Sequence, residues 1–97
     1  MKLVIVPLAL GELHDAAAFY AASANAELGL AFVTEFDRAA SGILANPYVG
    51  AVVRGARRRY ILRRFPYSVF YYVAADEIRV IAVAHHRRRP SYWAGRK

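Results

Sequence analysis

The chain has 97 residues, 58% of them hydrophobic, with no cysteine and a formal net charge of +7 at pH 7. That length holds one compact domain and not two, the apolar content excludes a disordered chain, and the absence of thiols excludes a disulfide framework and a cysteinate metal site or nucleophile. The longest uncharged run, 39–53, is 15 residues and is broken by Asn46, Pro47 and two glycines, so no segment resembles the roughly 20 apolar residues of a membrane span.

In chain order, Leu3-Val4-Ile5-Val6 is a mostly β-branched run stopped by Pro7 and is predicted as a short first strand. Lys2 ahead of it gives a weak likeness to a signal peptide, but no small-x-small cleavage site follows and Glu12 and Asp15 come too early. From Leu10 the spacing becomes helical, with Leu13, Ala17, Tyr20 and Ala24 on one face, and Glu12 and Asp15 are placed in the first turn, where the helix dipole favours negative charge. Asn25 and Gly29 mark a junction. A second helix carries Leu28, Phe32, Phe36, Ala39 and Ile43 on one stripe and ends at Asn46-Pro47, because proline disfavours the α conformation in the residue before it. The very short link predicts an antiparallel helix hairpin.

The second half reads as strands. Val52-Val53 is a possible short piece, 58–65 is extended, Tyr67–Val73 alternates, Ala74-Ala75-Asp76-Glu77 is a turn, and 78–85 is rich in Ile, Val and Ala. Short turns between consecutive strands predict an antiparallel meander. The expected fold is therefore α+β: an N-terminal strand and an antiparallel helix hairpin packed on one face of a small curved antiparallel sheet, with Phe32, Phe36, Ile43, Val69 and Tyr71 meeting in the core. The other face of the sheet is left open or covered by something else. Residues 1–97 form a single domain, with a basic tail, 86–97, expected to be mobile unless a partner orders it. The alternative for Trp93 is that it folds back and caps the core edge.

Charge is divided unevenly. Residues 1–53 carry two cations and five anions, net −3, whereas 54–97 carry twelve and two, net +10. So basic a half points to a polyanionic partner, nucleic acid or an acidic protein, or to a solvated face. His85 and His86 are adjacent on a strand and point to opposite faces, and His14 has no partner one helical turn away, so no metal site is expected. No Gly-x-Ser-x-Gly elbow or phosphate-binding glycine loop is present, and no cofactor is expected. What remains is a basic, aromatic surface in which Arg57, Arg58, Arg59, Arg63 and Arg64 would converge with His85, His86, Arg87, Arg88, Arg89, Tyr92 and Trp93. Arginine holds phosphates bidentately, aromatics stack on bases, and histidine moves protons. Such a set is equally suited to an acidic protein partner, with His85 a hydrogen-bonded strand-end residue.

The succession of strand, helix hairpin, Asn46-Pro47 with Gly50 after it, Arg63-Arg64-Phe65-Pro66-Tyr67-Ser68-Val69-Phe70-Tyr71-Tyr72-Val73, Asp76-Glu77-Ile78-Arg79-Val80, and Ala82-Val83-Ala84-His85 followed by arginines resembles the RelE/ParE superfamily of bacterial type II toxins, over nearly the whole chain. The resemblance implies a toxin, acting in the cytoplasm, neutralised by a small acidic antitoxin in a hetero-oligomer. ParE-like members poison DNA gyrase and are not nucleases. RelE-like members cleave mRNA on the ribosome. The Val-Ala-His-His-Arg-Arg ending and the lack of lysine in the strand region are closer to ParE, whereas Pro90-Ser91-Tyr92-Trp93 departs from both patterns. In the gyrase reading Arg63, Arg64, Arg88, Arg89 and Trp93 are the expected target contacts. In the ribonuclease reading His85, Arg87 and Tyr92 would be catalytic. Phe70 and Tyr72 are the expected antitoxin contacts.

Overall fold

The computed structural model describes all 97 residues. Its elements are β1 (Lys2–Ile5), α1 (Pro7–Ser23), α2 (Ala26–Ala45), β2 (Ala51–Arg54), β3 (Arg57–Ile61), β4 (Tyr67–Ala74) and β5 (Glu77–His85). The strands form one sheet in the order β1-β5-β4-β3-β2. Strands β2 to β5 are the expected meander, and Val52-Val53 belongs to its outermost strand. The sheet is nonetheless mixed, because β1 pairs parallel to β5, Lys2 opposite Glu77 and Ile5 opposite Val80. The helix hairpin carries the chain back across the sheet, so β1 and β5 run the same way at adjacent positions. Two strand limits also differ: β5 begins at Glu77, inside the expected turn, and β3 stops at Ile61, leaving 62–66 outside the strands with Arg64 at φ 69°.

Helix α1 begins at Pro7 rather than Leu10. Proline is suited to the first helical turn, where its missing N–H has no partner to lose. Glu12 and Asp15 therefore lie beyond the first turn, and the dipole argument for them fails. Asn25 caps α2, its side-chain oxygen accepting from the Leu28 N–H at 2.8 Å. Gly29 sets the spacing of the hairpin: a Cβ there would lie 2.8 Å from the Ala17 carbonyl oxygen and 3.0 Å from the Ala21 Cβ.

Phe32, Phe36, Ala39 and Ile43 of α2 are buried against Val69, Tyr71, Ile78, Val80 and Val83. Tyr20, Phe32, Phe65 and Tyr67 add an aromatic cluster at one end, with ring centroids 4.9–6.2 Å apart. Tyr71 crosses the core and donates its hydroxyl proton to the Pro47 carbonyl, 2.9 Å, while its oxygen accepts from the Gly50 N–H, 2.9 Å. That closes the turn leading from α2 into the sheet. A bulge follows Phe70, where Phe70 faces Ala82 but Tyr71 faces Val80, leaving Ile81 as the extra residue.

The tail is not a free segment. Trp93 is 3% exposed and lies on Phe70, ring centroids 4.6 Å apart and nearly parallel. Residues 90–95 turn back and cover part of the sheet face opposite the helices. Trp93 thus takes the alternative expected for it and folds back, onto a sheet face that the helices do not reach.

Candidate functional site

The alternation of β3 decides which arginines share a face. Arg58 and Tyr60 stand opposite Tyr71 and Val69 and turn toward the helices; Arg59 stands opposite Phe70 on the other face. Arg58 is used internally, donating to the carbonyls of Tyr48 at 3.0 Å and Gly50 at 2.8 Å. Arg57 stacks over the Tyr72 ring at 5.5 Å and donates to the Arg96 carbonyl at 2.9 Å. Arg59 donates through Nε to Ser68 Oγ at 2.8 Å, and the same hydroxyl lies 3.0 Å from His86 Nε2. Ser68 is 1% exposed, so it orients both side chains from within the sheet.

Arg59, Ser68 and His86 line a cleft of about 240 Å³ together with His85 and Tyr92. Arg88 and Arg89 also line it, as do Phe70 of β4 and Trp93 of the C-terminal segment. No carboxylate lines the cleft. The three ion pairs of the protein involve Arg38, Arg79 and Arg96 and leave the cleft arginines without a counter-ion.

Behind the cleft, Glu12 anchors the C-terminal segment. Its carboxylate accepts from the Tyr92 hydroxyl at 2.5 Å, from Arg96 Nη1 at 2.7 Å and from the Val83 backbone N–H at 3.1 Å. It does so where β1 has ended and the outer edge of β5 would otherwise be unpaired. Burial raises the Tyr92 pKa, the Glu12 bond and charge raise it further, and Arg88 and Arg96 pull weakly the other way. Arg88 lies over the Tyr92 ring at 3.9 Å.

The convergence read from the sequence is therefore partial. Arg59, His85, His86, Arg88, Arg89, Tyr92 and Trp93 all line the cleft. Arg58 serves the helix side, and Arg63 and Arg64 lie exposed on the bend between β3 and β4, where the Arg63 N–H donates to Glu35. Arg87 is exposed outside the cleft, with its N–H donating to His85 Nδ1 at 3.0 Å. The His85 ring packs edge-on against Tyr67, which itself packs on Phe32 of α2. His85 and Tyr92 are thus each engaged with different neighbours. Trp93 is a buried prop rather than an exposed target contact. Phe70 and Tyr72 are likewise no free apolar surface, because Trp93 and Arg57 cover their rings. Glu12 and Ser68 were missed. No local signal marks Glu12, whose partners lie 71 to 84 positions away. Ser68 had one, as the only small polar side chain between Tyr67 and Val73.

A family model described as the ParE toxin of the type II toxin–antitoxin system parDE matches residues 3–90. The chain belongs to this family. Among solved structures it is similar to one described as the chromosomal ParDE toxin–antitoxin system from P. aeruginosa, with 22% identity and a TM-score of 0.77 over 88% of this chain and 95% of that one. That likeness shows a shared fold. No curated protein matches the sequence. The protein is a ParE-family toxin with two helices on a five-stranded mixed sheet, and none of its helices is long and apolar enough to cross a membrane.

Proposed function

We propose that this ParE-family toxin acts in the cytoplasm by binding DNA gyrase, without chemistry of its own, and that a small acidic antitoxin neutralises it. The observation that carries this reading is the engagement of the two side chains a metal-independent ribonuclease would need for proton transfer, both of which line the cleft. His85 packs beside Tyr67 with Nδ1 accepting from Arg87, and the Tyr92 hydroxyl is committed to Glu12 with its pKa raised. General acid–base catalysis needs groups free to exchange a proton with the substrate, and Tyr92, bonded to Glu12 and with its pKa raised, is poorly suited to that. The target surface is then the exposed basic end of the sheet, Arg63, Arg64, Arg88 and Arg89, with Trp93 holding the segment in place from beneath.

The antitoxin has a better seat than Phe70 and Tyr72. Strand β2 is exposed along its length, and its outer edge has no neighbour. Val52 and Val53 of β2 and Ile61 of β3 are exposed, at 57%, 44% and 56%, and the arginines of β3 lie in the paired strand. An acidic segment adding a strand there would satisfy the edge and meet arginines on both sides.

The test is a comparison of two activities of the purified protein. Inhibition of gyrase supercoiling, lifted by an acidic protein encoded beside this gene, supports the reading. Codon-positioned cuts in ribosome-bound mRNA with gyrase unaffected would replace it with the ribonuclease reading.

A further inference from the structure

We infer that the cleft between β3 and the 86–93 segment is a phosphate-binding site that takes a phosphodiester group of a nucleic-acid strand. The inference stands on the cleft itself and not on the choice of target.

Three observations carry it. First, Arg59, Arg88, Arg89 and His86 approach one another in a space of about 240 Å³ that contains no carboxylate, while every ion-paired arginine of the protein lies elsewhere. Like charges gathered without a counter-ion repel, and an anion in their midst removes that cost. Second, the cleft is preorganised. Ser68, inside the sheet, holds Arg59 by its Nε and contacts His86, so the Nη groups of Arg59 are left for a ligand. The Tyr92 ring supports Arg88 at 3.9 Å, and Glu12 and Arg96 hold Tyr92. Guanidinium groups fixed in this way suit the fork geometry of a phosphate. Third, Arg87 is exposed just outside the cleft, next to Arg88 and Arg89. It gives a polyanionic strand a further contact that a free phosphate ion does not use.

The chain has one tryptophan, and it lines this cleft, so intrinsic fluorescence reads binding directly. The full-length protein is titrated at low salt with a short single-stranded oligonucleotide, and inorganic phosphate is then added as competitor. The expected result is a saturable change in Trp93 emission with the oligonucleotide, reversed by much higher concentrations of phosphate. Arg59→Gln and Arg89→Gln should each weaken oligonucleotide binding by at least about tenfold, and Arg89→Gln should also lower the log–log salt slope by about one. Ser68→Ala keeps every charge but frees Arg59, and should weaken binding by roughly fivefold. Lys2→Gln, on β1, removes one charge at a distance and should leave binding unchanged. Arg89 is exposed, so its variant tests the site without touching the core, and melting curves identify any variant that has merely lost its fold. Two results overturn the inference: no saturable binding, or equal losses in Lys2→Gln and Arg89→Gln with none in Ser68→Ala. Saturation by inorganic phosphate with no oligonucleotide binding would overturn the assignment to nucleic acid.

Discussion

Glu12 and Tyr92, eighty positions apart in the chain, share a hydrogen bond of 2.5 Å that ties the end of the chain to the second turn of its first helix. The same carboxylate takes Arg96 and the Val83 N–H. One side chain thus takes the Val83 N–H of β5 beyond its pairing with β1 and seats the segment that carries Trp93.

Replacing Glu12 by Gln keeps the shape but removes the charge and cannot serve all of these donors at once. Equilibrium unfolding in urea should show a loss of about 1–3 kcal/mol. The emission of Trp93 should move to longer wavelength as the segment loosens. An unchanged midpoint and an unchanged spectrum would mean that Phe70 alone holds the tail.

Trp93 should matter more to stability than to contact with a target. Trp93→Ala leaves a hole over Phe70 and should cost about 3–5 kcal/mol, as should Phe36→Ala in the main core. For a domain of this size either loss approaches the whole stability. Toxicity should therefore fall in parallel with melting temperature for Trp93→Ala, whereas Arg88→Gln should lower toxicity with the melting temperature nearly intact. Growth arrest retained in a Trp93→Ala protein that melts normally would contradict the buried position.

Gly29→Ala sets two effects against each other. Alanine is the better helix former by about 1 kcal/mol, yet its Cβ would fall 2.8 Å from the Ala17 carbonyl, which is backbone and cannot step aside. The hairpin must open, and overpacking of this kind costs about 1–3 kcal/mol. A net decrease in thermal stability is expected. An increase would show that the hairpin adapts freely.

The pH dependence has a sign at each end. Hydrogen bonding to Arg38 lowers the Glu35 pKa, with the Arg63 N–H and the Arg38 charge assisting and burial opposing. Its contribution is present above the ordinary carboxylate pKa and is lost as pH falls through the lowered value. Tyr20, Tyr67, Tyr71 and Tyr92 are all raised above 10.0, burial being the first cause for each. Their contribution is complete below pH 10 and disappears at higher pH, where the unfolded chain gives up those protons more readily. Stability measured across pH should therefore decline at both extremes. Glu35→Gln should flatten the acid limb, and Tyr92→Phe should remove part of the alkaline one.

The helix hairpin, the meander and the core were legible in the sequence, because they rest on periodicity. Phe32, Phe36 and Ile43 recur at the helical repeat and Val69 and Tyr71 at the strand repeat, and each pattern buries only one way. The sequence also determined the family, through the order of elements from Leu3 to the arginines after His85. Tertiary structure alone decided that β1 runs parallel beside β5, that Trp93 covers Phe70, and that Arg59 faces the cleft while Arg58 beside it serves the helix side. Each of these depends on partners distant in sequence or on a strand register. Shifting a register by one residue exchanges the faces of every side chain, and composition carries no trace of that choice.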